Sequence, residues 1–430
     1  MPDRHVQNVR RQRPAAVPRR GFLEMVSGGL LAASASLTRA RADETSSQSD
    51  NLPPNTPQWM KDPGDADYKG YGQPSKFANS IKRIEAKGRP SPLSSFSFTP
   101  LQDLRGIITP NGLFYERDHG GVPTINPDEH RLMIHGLVEQ SLLLTMDDLM
   151  RFPSVSHIHF LECSGNSSAE WTKPTNSIQA SYGLLSCSEW TGVRLSTLLD
   201  AVGVRPGAKW ILAEGADAAG MDRSVPMQKA MDDALIVYAQ NGEPLRPEQG
   251  YPVRLLLPGF EGNMSVKWLR RIKVGAQPWM TREETSQYTD LMPDGTARMF
   301  TFVMDAKSII THPAPGGKSI RPGTNEISGL AWSGYGKISR VDASVDGGRS
   351  WTTATLDTPV LSRCLTRFRL PWSWDGKPVA LASRAIDETN YVQPTRGQLI
   401  EARGTHSRYH YNAIALWNIG ADGTASNAYA

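Results

Sequence analysis

Short apolar runs separated by polar turns dominate the middle of the chain. Leu132–Val138, Leu235–Ala239 and Val253–Leu257 are the length of buried strands. Between these runs, Thr145 can cap a short helix, and Ser196 is expected to cap another that ends at Gly203. The pattern predicts a mixed α+β domain over residues 96–277.

The pattern changes after a predicted linker at residues 278–297. Val341, Ala343 and Val345 alternate with polar residues, and Asp346-Gly347-Gly348 predicts a turn. Further strands are predicted at Trp351–Leu356, Ala380–Ala385 and Tyr409–Trp417. Short strands with Gly/Asp turns and little helical periodicity predict an immunoglobulin-like β-sandwich over residues 298–418, followed by a tail at 419–430.

The first 42 residues have the pattern of an export signal. Arg19 and Arg20 precede Gly21-Phe22-Leu23, a short apolar stretch follows, and Ala40-Arg41-Ala42 offers small residues for cleavage. Twin arginines predict export of the folded protein, hence a periplasmic location. Residues 43–95, rich in Pro, Gly and scattered aromatics, are predicted to form an extended arm.

Charge and cysteine content exclude several classes of protein. Eight arginines and two acidic residues give the first 42 residues +6, so the whole chain's +4 leaves −2 for the remainder. A nucleic-acid partner is therefore not expected, and no later apolar run reaches the roughly 20 residues of a membrane span. No Cys-x-x-Cys-His motif occurs, so no haem is expected on this chain. Cys187 and Cys364 are predicted to be inert core thiols rather than a disulfide.

Cys163 is the principal candidate for metal chemistry. It follows a strand-like run in Phe160-Leu161-Glu162-Cys163-Ser164-Gly165-Asn166, so its thiolate would project from a strand end into a loop. A thiolate there suits a soft metal. His157 and His159 share its strand face, which leaves a zinc or copper site as an alternative.

Cations inside apolar patterns suggest an anionic ligand. Arg254 and Lys267 interrupt strand-like runs, and Arg117 and His119 precede a Gly-Gly turn. Each could instead form a structural salt bridge, since buried charges need partners. A phosphate-bearing cofactor would satisfy several of them together, with Ser265 adding a hydroxyl.

These motifs together resemble the sulfite oxidase family of molybdenum enzymes. The resemblance covers residues 96–418 and implies molybdenum held by a pyranopterin (molybdopterin) and by Cys163 as the protein ligand. It implies cofactor contacts for His119, Asp217, Arg254, Ser265 and Lys267, and substrate contacts for Arg117 and Tyr288. The Ile327-Ser328-Gly329 to Trp351 pattern is similar to the family's dimerisation sandwich, so a homodimer core is implied.

Two departures from the family pattern bear on the substrate. Ser167-Ser168 stands where sulfite oxidases carry an arginine, and Gln249 stands where they carry histidine. Cys163–Ser167, Tyr238–Gly242 and Glu248–Arg254 are more similar to the sulfane dehydrogenase branch of the bacterial thiosulfate-oxidising system. That resemblance implies oxygen-atom transfer from Mo(VI) to a sulfane sulfur on a carrier protein's cysteine, within a hetero-oligomer whose c-type cytochrome subunit accepts the electrons.

Three alternatives stay open on the sequence. The first is a dehydrogenase for free sulfite in the same family. The second is the zinc or copper protein built on His157, His159 and Cys163. The third is a non-enzymatic exported β-sandwich binding protein, which leaves the cationic motifs around Arg254 and Lys267 without a role.

Overall fold

The computed structural model describes residues 55–57, 60, 70–86 and 91–429, and the chain divides into two compact units, residues 1–75 and 76–430. The predicted export signal at 1–42 and most of the predicted arm at 43–95 lie outside the described residues. In the described part, no helix combines the length and the apolar character needed to span a membrane. The second unit contains all the elements that position the candidate site.

The described residues between 84 and 275 form three sheets with short helices between their strands. The strands are β1 Ile84–Glu85, β2 Ser95–Phe98, β3 Glu116–Asp118, β4 Leu132–Gly136, β5 Leu142–Leu144, β6 Ser154–Glu162, β7 Leu185–Arg194, β8 Trp210–Gly215, β9 Asp222–Pro226, β10 Leu235–Gln240, β11 Glu243–Pro244, β12 Arg254–Leu256 and β13 Leu269–Gly275. The helices are α1 Met146–Met150, α2 Ile178–Tyr182, α3 Leu195–Val202 and α4 Met227–Asp232.

The sheet orders are β1-β2-β3, β11-β10-β7-β6 with β12 beside β10, and β5-β4-β13-β8-β9. All pairs are antiparallel except β13 with β4. Ile134, Ile236, Leu255 and Ile272 are fully buried in a core shared by the two larger sheets. The predicted mixed α+β fold is therefore confirmed. Of the apolar runs, β12 is buried throughout, whereas β4 buries one face and exposes Met133 on the other.

The helix ends confirm one predicted cap and correct the other. Thr145 caps α1, with its side chain accepting from the Asp148 N–H and Asp148 bonding back. For α3, Arg194 rather than Ser196 is the N-cap, although Gly203 ends the helix as predicted, at φ 66°. The helix starts directly on β7 because the Leu195 N–H is bonded to the Ala234 carbonyl at 2.8 Å.

A separate two-stranded sheet of β14 Asp290–Leu291 and β15 Ala297–Arg298 precedes a two-sheet sandwich at residues 307–427. The strands of the sandwich are β16 Lys307–His312, β17 Gly323–Trp332, β18 Ile338–Ser344, β19 Thr352–Thr353, β20 Thr355–Leu356, β21 Thr366–Trp374, β22 Val379–Asp387, β23 Leu416–Ile419 and β24 Ala425–Asn427. The sheets run β16-β17-β21-β20 and β19-β18-β22-β23-β24, and helix α5 spans Arg396–Arg403. Trp332, Phe368 and Trp417 fill the core between them.

The strand predicted at Tyr409–Trp417 is wrong over most of its length, because β23 begins only at Leu416. Residues 404–415 form a loop whose backbone bonds to other segments instead of to a sheet. The His410 N–H donates to the Ser164 carbonyl at 2.9 Å, and the Ile414 N–H donates to Pro394 at 2.9 Å. This loop therefore contacts the loop that carries Cys163.

The segment at 278–297, predicted as a linker, contacts both domains: the Trp279 N–H donates to Ser224 Oγ at 2.9 Å, and Asp290 accepts from Arg403 at 3.2 Å. A π-helical turn spans Glu283–Gln287, and its buried Glu284 accepts a hydrogen bond from Ser224 Oγ at 3.0 Å. The turn ends at Tyr288. The fixed position of this turn determines where the Tyr288 side chain lies.

Candidate active site

Cys163 lies at the end of β6, in a tight loop. Its N–H donates to the Leu184 carbonyl at 3.0 Å, and its own carbonyl accepts from the Asn166 N–H at 2.8 Å. Ser167 completes the turn with a left-handed φ of 66°. The thiol is half-buried, and this burial raises its pKa while the charge of Arg117 opposes the rise. The loop thus holds one thiol at the edge of a cavity.

The structure brings all eight predicted site residues to one cavity. This cavity has an empty volume of about 670 Å³. The predicted residues that line it are Arg117, His119, Cys163, Asp217, Arg254, Ser265, Lys267 and Tyr288. They come from strands β3 and β12 and from the segments after β3, β6, β8, β12 and β13, so only tertiary packing places them together.

Arg254 and Lys267 carry charge into this cavity while hydrogen-bonding to backbone carbonyls. Arg254 donates to the carbonyls of Gln249 (3.0 Å) and Ser265 (2.9 Å), and Lys267 donates to the Glu248 carbonyl at 2.8 Å. Among the described residues, neither forms an ion pair with a carboxylate. Burial lowers the pKa of Arg254 to about 10 and that of Lys267 to about 8. Burying these two positive charges is unfavourable, and an anionic ligand such as a phosphate would offset that free energy.

Arg117, His119 and Tyr288 form a hydrogen-bonded chain beside Cys163. Arg117 Nη2 lies 3.0 Å from His119 Nδ1, and His119 Nε2 lies 3.1 Å from the Tyr288 hydroxyl oxygen. Burial lowers the pKa of His119 to about 4, so the ring is neutral near pH 7. Arginine only donates, so Nδ1 accepts and Nε2–H donates to Tyr288. The Tyr288 hydrogen is then free to point to another acceptor in the cavity.

A second, wider cavity forms an entrance that meets the first at Cys163. Its empty volume is about 1560 Å³, and both cavities share Arg117, His119, Cys163 and Tyr288. Apolar walls come from Phe96, Phe98, Trp171 and Leu184. Of the described residues that line this entrance, none is acidic. Anions can therefore approach Cys163 without meeting a like charge.

The loop at residues 404–415 supplies site residues that the sequence analysis missed. Ser407, Arg408 and Tyr409 line the entrance, and the Tyr409 ring lies 5.3 Å from the Tyr288 ring between centroids. Arg408 lines the same cavity as Ser167 and Ser168, where an arginine was expected. A positive charge thus comes from the sandwich domain. The signal in the sequence was Arg408, which lies directly before the strand predicted at Tyr409–Trp417.

The zinc or copper alternative is wrong, because its ligands do not come together. His159 Nδ1 faces the Arg363 carbonyl at 3.3 Å, and His157 Nε2 faces Arg194 at 3.3 Å. Over the described ranges, no cluster of three or more His, Cys, Asp or Glu side chains could hold a metal ion. The three-ligand site fails since β6 ends at Glu162, and Cys163 turns away into the loop.

Cys187 and Cys364 are free, buried thiols, as predicted. Their sulfur atoms lie 3.5 Å apart, in the core that joins β7 to the loop before β21. Neither lines the two cavities.

Comparison with known proteins identifies the class. Residues 119–283 match the family described as the oxidoreductase molybdopterin binding domain, and residues 298–416 match the Mo-co oxidoreductase dimerisation domain. The chain is 31% identical to sulfite oxidase of Gallus gallus over 321 residues, covering 67% of this chain and 68% of that protein. The chain belongs to the sulfite oxidase family of molybdenum enzymes.

A human relative and a solved bacterial structure are also similar to the chain. Mitochondrial sulfite oxidase of Homo sapiens is 32% identical over 332 residues, which are 70% of this chain. The chain spans 60% of that relative's length. The crystal structure of the sulfane dehydrogenase SoxCD from Paracoccus pantotrophus is similar with a TM-score of 0.85 and 47% identity, covering 87% of this chain and 97% of that chain.

The residues present fit a molybdenum pterin. The cavity presents three cationic side chains, Arg117, Arg254 and Lys267, that lack a carboxylate partner among the described residues, as an anionic cofactor requires. Cys163 offers one thiolate at the end where the cavity opens.

Proposed function

We propose that the chain is a periplasmic molybdenum oxidoreductase that oxidises a sulfane sulfur held on a carrier protein's cysteine. The observation that carries the proposal is the position of Cys163, where a cation-lined cavity meets a wide entrance with no acidic lining among the described residues. Membership of the sulfite oxidase family and the 47% identity to a protein named as a sulfane dehydrogenase support it.

Each end of the first cavity has residues suited to one part of the cofactor. Cys163 would donate its thiolate to molybdenum, because a soft sulfur donor suits a redox-active metal. Arg254, Lys267 and Ser265 would hold the phosphate, and His119 and Asp217 the pterin. When bound, the cofactor supplies two-electron redox chemistry with transfer of an oxygen atom to sulfur.

The chain's own residues orient the substrate. Arg117 and Arg408 attract and align an anionic sulfur group in the entrance. The Tyr288 hydroxyl oxygen accepts from neutral His119, so its hydrogen would be free to donate to an oxygen of the bound substrate. Phe96, Phe98 and Trp171 exclude water from one side of the entrance.

The width of the entrance favours a substrate delivered on a protein. Sulfite is a small anion of four heavy atoms, and the entrance, with an empty volume of about 1560 Å³ that is partly open to solvent, leaves most of its space to a larger substrate. A carrier arm ending in a sulfane sulfur would fill such a space, and free sulfite is the second candidate.

We further propose export by the twin-arginine route, a c-type cytochrome subunit as the electron acceptor and pairing of two copies through the sandwich.

Metal analysis of the purified chain, expressed in a host that makes molybdopterin, tests the proposal first. We expect about one molybdenum per chain by inductively coupled plasma mass spectrometry, lost in Cys163→Ser but kept in the control Cys364→Ser. Turnover is then compared between a cysteine-persulfide peptide, which carries a sulfane sulfur, and free sulfite, with ferricyanide as acceptor. Zinc or copper in place of molybdenum would refute the enzyme class, and turnover of sulfite alone would refute the substrate.

A further inference from the structure

Glu162, the residue before Cys163, is a fully buried carboxylate with no solvent exposure. Its Oε1 accepts from Asn166 Nδ2 at 2.9 Å and from Lys307 Nζ at 3.1 Å, and its Oε2 accepts from Trp332 Nε1 at 2.6 Å. A buried carboxylate is stable only with such donors. Two of the three donors belong to the sandwich domain rather than to the domain that carries Cys163.

Lys307 also contacts the other end of the same loop. Its Nζ donates to Ser167 Oγ at 2.8 Å, and it is itself only 1% exposed. Lys307 and Trp332 are cross-strand neighbours at the ends of β16 and β17, and the ammonium lies 5.7 Å from the centre of the Trp332 ring. One cation from the second domain therefore ties Glu162 to Ser167, with Cys163 between them.

We propose that Lys307 and Trp332 are positioning residues that set the direction of the Cys163 thiolate, so that the sandwich domain determines the geometry of the metal's protein ligand. The inference rests on the proposed function, in which Cys163 binds molybdenum. The Cys163 side chain itself contacts neither residue in a described hydrogen bond, so their effect passes through Glu162 and the loop backbone. A shift of the β6 end would move the sulfur directly, because Cys163 is the next residue.

The test compares Lys307→Met with the double variant Glu162→Gln/Lys307→Gln in the full chain. The single change leaves the Glu162 charge buried without a cation, whereas the double change removes both charges and keeps two amides that can hydrogen-bond. Lys229→Met is the matched control. Lys229 is also a buried lysine, 2.6 Å from Asp233, but lines neither cavity.

Two readouts do not depend on turnover. The first is the Mo(V) electron paramagnetic resonance spectrum, which reports the ligand geometry. The second is hydrogen exchange of the Asn166 and Ser167 amides, which donate to the carbonyls of Cys163 and Ser181. In Lys307→Met we expect an altered spectrum, about tenfold faster exchange of these amides, and a kcat about tenfold lower at nearly unchanged KM. The double variant should bring the spectrum, the amide exchange rates and kcat most of the way back to their wild-type values.

The control should lose thermal stability while keeping the wild-type spectrum and loop exchange. If Lys307→Met does not fold, Trp332→Phe decides, since it removes one donor to Glu162 and keeps the ion pair. A wild-type spectrum and wild-type exchange in the variant that folds would overturn the inference, as would equal changes in Lys229→Met. If the wild type contains no molybdenum, the proposed function fails, and the exchange rates alone still decide whether Lys307 holds the loop.

Discussion

Lys267→Met should stabilise the cofactor-free protein while weakening its hold on the cofactor. The pKa of Lys267 is lowered from 10.5 to about 8, mainly by burial and to a smaller extent by the charge of Arg254. Each pKa unit corresponds to about 1.4 kcal/mol, so keeping this ammonium charged in the folded chain costs about 3 kcal/mol below pH 8. Methionine fills a similar volume without the charge, and this cost disappears.

The pH dependence follows from the same shift. Between pH 8 and 10.5 the unfolded chain keeps the Lys267 proton that the folded chain has released, so the stability of the wild type rises with pH over this range. Lys267→Met should lack this contribution. Urea unfolding of both proteins, prepared without molybdopterin, at pH 7, 8, 9 and 10 measures the difference.

In the protein that contains the cofactor, Lys267→Met should be unfavourable. A cofactor phosphate would neutralise Lys267. The variant should therefore retain molybdenum about tenfold less well, because it loses one charge-assisted hydrogen bond to the cofactor. Lys229→Met is the control, because Lys229 has its own carboxylate, Asp233, and its removal should destabilise the cofactor-free protein. The reasoning is refuted if Lys267→Met destabilises the cofactor-free protein at pH 7 as much as Lys229→Met does.

Three further predictions concern turnover. Tyr288→Phe should lower kcat about 10- to 100-fold without changing the melting temperature, since it removes only the hydroxyl that His119 orients; an unchanged kcat would exclude this role. Arg408→Ala should raise KM for an anionic sulfur substrate about tenfold and flatten its ionic-strength dependence, unlike Arg349→Ala on the exposed side of the sandwich. The pKa of His119, about 4, predicts that its protonation adds no inflection to kcat/KM between pH 5.5 and 8; an inflection lost in His119→Gln would contradict this.

Local patterns were sufficient for most of the architecture. The period-two alternation around Val341–Val345 and the apolar runs of the first domain predicted strands that the structure contains. The Thr145 cap was predictable because it depends on residues three apart in sequence. Prediction failed at residues 404–415, where the apolar and aromatic residues are buried against other loops instead of pairing in a sheet.

For the site as well, the sequence predicted some features and left others to the tertiary structure. Arg254 and Lys267 were recognisable because charges in apolar runs need partners, and the sequence could not say whether those partners were acids. Among the described residues, the hydrogen bonds of both cations go to carbonyls and not to acids, which leaves their charges available to a ligand. The zinc or copper hypothesis failed because a strand's two-residue period no longer applies beyond Glu162, where β6 ends.

By itself, the sequence determined which side chains could carry the chemistry and in which local element most of them lie, since caps, turns and strand alternation depend on neighbouring residues. The tertiary structure decided which of them meet. It brought Arg408 to the entrance beside Ser167 and placed Lys307 behind the Cys163 loop, from a domain more than 100 residues away in the chain. Such contacts depend on how two separately folded sheets pack, and no local pattern of residues encodes that packing.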